Sequence, residues 1–176
     1  MDFSFQLYAY CNIFYENILG TLLKNGPGMF EFGEQKASHI FDGMAMMRRY
    51  HVDQDQTSRN MSETEVSFSR RMIESDFYKG NIAEGKMTKS GIGSTPEQWG
   101  IIDRLKSIGG KGADNVNVAT VPLFGHYYAA TELPMMVEYD PVTLETLGSI
   151  DLQEVIPGER FYYILIWNNF LRSRYL

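Results

Sequence analysis

Between Asn115 and Leu152 the chain keeps reversing. The stretches "NVNVATVPLF", "HYYAATEL", "MMVEYDP" and "VTLETLGSIDL" follow one another as short apolar or alternating runs separated by brief turns. Runs this short and this closely spaced pair with their neighbours as antiparallel strands. Asp140-Pro141 shows how the joints are made, because Pro presets its own φ and Asp bonds to backbone two residues on. The repeated strand–turn–strand unit predicts an antiparallel meander. It points to an all-β propeller or open barrel rather than an α/β fold.

The first half reads in the same way. Residues 21–25 form a short apolar strand, and Asn25-Gly26-Pro27-Gly28 is turn chemistry. "MFEF" (29–32) alternates again. "HIF" and "MAMMRRY" read as two strands joined at Asp42-Gly43, a dipeptide suited to a type I′ hairpin. After the polar stretch 53–60, "EVSFSRRMIESDFY" (65–78) reads as one long strand and 84–90 as another. The one good helix lies at 95–110. Thr95 is its N-cap, Ile101, Ile102, Leu105 and Ile108 form its apolar face, and Gly109-Gly110 ends it.

With 176 residues, 44% of them hydrophobic, the chain is a single globular domain or part of a larger one. A net charge of -6 and the lack of a basic stripe argue against a nucleic-acid partner. Cys11 is the single cysteine, so no internal disulfide forms and a reducing compartment is expected. The aromatic start, "MDFSFQLYAYCNIFYENILG", has Asp2 and Glu16 where a signal peptide needs positive charge, and it is too short to span a bilayer. The expectation is a cytoplasmic protein, with peripheral membrane contact through these aromatics as the alternative and mitochondrial residence left open.

Three blocks in order carry a resemblance: "GTLLKNGPGMFEFGEQKASHIFDGMAMM", "SRRMIESDFYKGN" and "DNVNVATVPLFGHYYAATELPMMVEYDPVTLETLGSIDL". Together they resemble the N-terminal part of the carotenoid oxygenases, a family that cleaves carotenoids and apocarotenoids and includes a retinoid isomerase. The resemblance runs over 19–152, leaving 1–18 and 153–176 as divergent segments. It implies an incomplete part, about two blades, of a seven-bladed β-propeller with one short helix. It also implies a non-haem Fe(II) cofactor held by four histidines, a long polyene substrate, and dioxygen cleavage of one double bond to aldehydes or ketones.

His39, His51 and His126 are the only histidines, and their neighbours match family positions that are not iron ligands: His39 is expected in a local hydrogen-bonding role, His51 at a strand end before a polar turn, and His126 in a hairpin. The family's first iron histidine follows the "LETLGSIDL" block, where this sequence reads "QEVIPGERFYYILIWNNFLRSRYL". The expectation is that this chain by itself supplies no metal ligand and no catalytic residue. By resemblance, Glu132 is the glutamate that hydrogen-bonds an iron-bound histidine, and Thr131 lies near the iron cavity. Met44, Met46 and Met47 are expected in the core, with the lining of a polyene tunnel as the alternative, Arg48-Arg49 at a solvated strand end with Arg70-Arg71 similar, and 161–167 as a buried or aggregation-prone strand. The alternative function is a non-catalytic fragment that binds an apolar ligand or a partner through open propeller edges.

Overall fold

A computed structural model describes residues 3–9, 19–54, 64–89, 100 and 114–155, with the backbone alone described for 3–9, 54, 64 and 65. Ten strands make up most of it: β1 (Phe3–Ala9), β2 (Gly20–Met29), β3 (Glu31–Phe32), β4 (Gln35–Lys36), β5 (Met44–Gln54), β6 (Thr64–Met72), β7 (Ala119–Leu123), β8 (His126–Ala130), β9 (Met135–Tyr139) and β10 (Thr146–Asp151). A 3-10 turn spans Ile40–Asp42, and two helices, α1 (Asp76–Glu84) and α2 (Leu152–Val155), complete the described elements. The strands form one four-stranded sheet in the order β1-β6-β5-β2, a second in the order β10-β9-β8-β7, and a small β3-β4 hairpin. All the pairings are antiparallel.

The second sheet is the meander read from the sequence. Its first reversal is a two-residue turn at Phe124-Gly125, both at positive φ, between the register partners Leu123 and His126. That backbone matches the strand twist, as hairpins of this length require. At its last reversal, between β9 and β10, Asp140 Oδ1 accepts from Val142 N at 2.8 Å and Thr143 N at 2.7 Å. Those two backbone donors, Thr143 first, hold the Asp140 carboxyl below its usual range.

Four expectations for the first half are corrected. The Gly26-Pro27-Gly28 stretch is not a turn: β2 runs through it, with a bulge between Pro27 and Met29. Proline is tolerated because β2 is an edge strand. Gly28 is needed because a Cβ there would collide with the Met46 side chain. Asp42-Gly43 is not a hairpin either. Gly43 is extended (φ -61, ψ 136) and ends the 3-10 turn, while His39 caps its start. The 65–78 strand stops at Met72, and Asp76 begins α1. Ser75 Oγ accepts from Tyr78 N, Asp114 accepts from Asp76 N at 2.7 Å and Phe77 N at 2.8 Å, and Gly85 closes the helix in the left-handed region. Residues 85–89 are not a strand. The helix expected at 95–110 and the apolar run 161–167 lie outside the described residues, Gly100 apart.

The core has two main parts because β5 is buried on both faces. Ala45 and Met47 face the second sheet and pack with Ile73, Val116, Ala129, Val137, Tyr139 and Leu144. Met44 and Met46 face the other way, toward Phe32, Met72, Phe77 and Met87. The methionine run is therefore core, as expected. Arg48 and Arg49 lie within β5, both half-buried, rather than at a solvated strand end. Arg71 pairs with Glu145 at 3.1 Å across the sheets.

Candidate functional site

Thr131 and Glu132 leave the end of β8, and hydrogen bonds on both sides fix where they lie. Val118 N donates to Ala130 O at 3.1 Å, extending the β7–β8 pairing by one step, and Leu152 N donates to Pro134 O at 3.0 Å. Thr131 is buried, and its Oγ1 donates to Glu132 Oε2 at 2.7 Å. The hydroxyl holds the carboxylate in one orientation while the glutamate itself remains exposed. An oriented, accessible carboxylate of this kind accepts an N–H from a group brought against it, such as an imidazole ring.

The 115–119 segment, which steers this corner, is stitched to the first sheet by three asparagines. Asn25 Nδ2 donates to Val116 O at 2.5 Å and Ala119 O at 2.9 Å. Asn117 Nδ2 donates to Phe41 O at 2.7 Å and Gly43 O at 2.8 Å. Asn115 Nδ2 donates to Gly43 O at 3.0 Å, and its Oδ1 accepts from Ala45 N at 3.1 Å. The 3-10 turn, β2, β5 and the approach to β7 thus form one connected corner ending at Thr131–Glu132. Sequence reasoning missed these asparagines. The only signal was the Asn-x-Asn spacing, which places both amides on one side of an extended segment.

The histidines do not converge. His39 Nδ1 accepts from Phe41 N at 3.2 Å, the local role expected of it. His51 Nδ1 lies 2.8 Å from Thr21 Oγ1, within β5 rather than at a strand end before a turn. His126 Nδ1 lies 2.7 Å from Glu138 Oε1. Among the described residues no three His, Cys, Asp or Glu side chains gather in a way that could hold a metal ion. The Fe(II) implied by the resemblance therefore finds no ligand set among them. Glu132 fits only the lesser role of supporting a ligand brought from elsewhere.

A cleft of about 140 Å³ lies where the α1 N-terminus meets β10, lined by Glu74, Asp76, Lys79, Asp114 and Ser149 among others. Its charged walls suit a polar occupant, not a polyene. Tyr139 is fully buried in the inter-sheet core, and desolvation pushes its hydroxyl up to about 12, with the nearby Thr120 hydroxyl offsetting only part of the effect. Among the described residues no helix is long and apolar enough to cross a membrane.

Comparison with known proteins places this geometry. Residues 16–165 match the family model described as retinal pigment epithelial membrane protein. The mitochondrial carotenoid-cleaving dioxygenase of Macaca fascicularis is 35% identical over 146 residues, which are 78% of this chain and 25% of that protein. The beta,beta-carotene 15,15'-dioxygenase of Rattus norvegicus is 29% identical over 148 residues, 78% of this chain and 24% of that protein. A Synechocystis apocarotenoid oxygenase, solved as a glutamate-to-glutamine mutant, superposes with a TM-score of 0.71 at 22% identity, over 89% of this chain and 30% of that one. The cobalt-substituted form of the Synechocystis protein gives 0.68 at 21% identity, over 88% of this chain and 30% of that one. The chain thus spans about a quarter of the length of the curated relatives it matches.

Proposed function

The chain belongs to the carotenoid oxygenase family, described by its model as retinal pigment epithelial membrane protein, and on that premise we propose that it contributes two adjoining blades to a seven-bladed propeller in a longer carotenoid or apocarotenoid oxygenase. In this reading residues 19–152 are the propeller part. The two four-stranded antiparallel sheets are the blades, and the remaining blades come from sequence outside these residues. The longer protein cleaves a polyene double bond with dioxygen to aldehyde or ketone products. Its iron is held by histidines outside the described residues.

The observation that carries this reading is the family match over residues 16–165, realised in two four-stranded sheets packed face to face through Ala45, Met47, Ala129 and Val137. Sheets packed face to face in this way continue naturally into a ring of blades. Within that ring we assign Glu132 as the carboxylate that accepts an N–H from an iron-holding histidine supplied by another blade. The hydroxyl of Thr131 keeps the carboxylate turned for that contact.

The test is Glu132→Gln in the longer protein, with iron measured by mass spectrometry alongside turnover and thermal unfolding. Lower iron retention and lower turnover, with folding preserved, is the expected result. Unchanged iron and turnover would remove Glu132 from the site. In the 176-residue chain the expected iron content is negligible, and stoichiometric iron there would overturn the assignment of ligands to other blades.

A further inference from the structure

Beyond Ala45 and Met47, the face of the first sheet that packs on the second turns polar. Alternate residues share a side, so Arg49, His51 and Asp53 of β5 and Ser67, Ser69 and Arg71 of β6 lie on that face. Arg71 Nη1 pairs with Glu145 Oε1 at 3.1 Å, and His51 Nε2 lies 4.0 Å from Asp53 Oδ2. Arg49 stands between them along the sheet, and among the described residues no carboxylate pairs with it. Its Nε is buried and meets no hydrogen-bond partner, and the same holds for Ser69 Oγ.

The ladder explains why no neighbour serves them. Arg49 and Ser69 are register partners, so their Cβ atoms stand about 5 Å apart and project to one side. On β2 the partner of Arg49 is Leu23, an apolar residue packed on the inter-sheet core. Asn25 is the diagonal neighbour, but its amide nitrogen is held by Val116 O and Ala119 O. Its Oδ1 is likewise buried without a partner, so it does not accept from Arg49. A guanidinium keeps its charge at any ordinary pH, and a buried N–H with no acceptor is destabilising. The missing group is therefore an acceptor. The Nε edge of a guanidinium offers two parallel N–H groups, which match two oxygens of one oxyanion, and a serine hydroxyl supplies a third donor. Both residues are half-buried rather than sealed, which keeps them within reach of a small solute.

We infer that Arg49 and Ser69 form a binding site for a small oxyanion of the phosphate class, on the inter-sheet face of the first sheet. The bound ion neutralises Arg49 and links β5 to β6 beside the shared core. The site is built from this chain's own residues and stands apart from the functional reading above.

Phosphate titration of the 176-residue chain tests it, by isothermal calorimetry and by thermal unfolding at an ionic strength held constant with sodium chloride. The expected result is one saturable site and a melting temperature that rises with phosphate, as binding to the folded form requires. Arg49→Met keeps the apolar stem and removes the charge. It should melt at or above the parent chain without phosphate and lose the phosphate response. Ser69→Ala should weaken phosphate binding roughly tenfold, as loss of one hydrogen bond to a charged group does, and it is the deciding variant should Arg49→Met not fold. No saturable heat and an unmoved melting temperature would show that water alone serves these atoms, and would overturn the site. An equal rise in the parent and in Arg49→Met would be the general exclusion of phosphate from protein surfaces and overturns it too. Arg49→Met melting below the parent in phosphate-free buffer would mean that a protein group already satisfies Arg49, with the same consequence.

Discussion

Replacing Asn117 tests whether the asparagine clasp holds the two sheets in register. Asn117 is buried, and its amide serves Phe41 O at 2.7 Å and Gly43 O at 2.8 Å. In Asn117→Ala the two carbonyls fare differently. Gly43 O keeps its 3.0 Å bond from Asn115, whereas Phe41 O keeps only a long 3.5 Å contact. The loss is then one well-formed bond plus one poorly satisfied carbonyl, together about 2 kcal/mol. In urea, where small proteins lose about 1–3 kcal/mol per molar denaturant, the midpoint should fall by about 1 M. Asn117→Asp should be worse than Ala, because it turns a carboxylate oxygen toward two carbonyl oxygens in a buried place. Adding Asn115→Ala to Asn117→Ala should cost more than the two single changes summed, because Gly43 O then loses both donors. Urea unfolding followed by tryptophan fluorescence and circular dichroism measures all of this. If Asn117→Ala shifts the midpoint by less than the fitting error, or Asp is no worse than Ala, the clasp does not carry the corner.

Three further outcomes are expected. Gly28→Ala should destabilise the first sheet by about 1–3 kcal/mol, because its Cβ meets Met46 and β2 must move away, and a lower unfolding midpoint would register it. Lys24→Glu should raise the melting temperature of the 176-residue chain at low salt by setting a carboxylate directly across from Arg48, and 1 M salt should erase the gain. The Tyr139 hydroxyl is raised from 10.0 to about 12, so its contribution is complete below pH 10 and lost as pH rises through about 12. Tyr139→Phe should flatten the alkaline fall of the melting temperature across that window, while an unchanged slope would contradict the burial argument.

What the sequence by itself determined is the second sheet. Its reversals are written locally, at Phe124-Gly125 and around Asp140, where a few adjacent residues close their own hydrogen bonds. Such turns form much the same in any context, so short apolar runs between them imply a meander. The resemblance singled out Thr131 and Glu132, but their hydroxyl–carboxylate bond and the exposure of the carboxylate were not readable from residue order. Only the tertiary structure decided the first half. Gly26-Pro27-Gly28 has turn composition, yet it is drawn out as an edge strand because the small residues admit Met46. "SDFYKGNIAE" becomes helix α1 with two of its first N–H groups held by Asp114, distant in sequence. Phe3–Ala9, read as an apolar segment, is paired as the outer strand along β6. In each case the deciding partner lies far along the chain, and a local pattern carries no information about a group it has yet to meet.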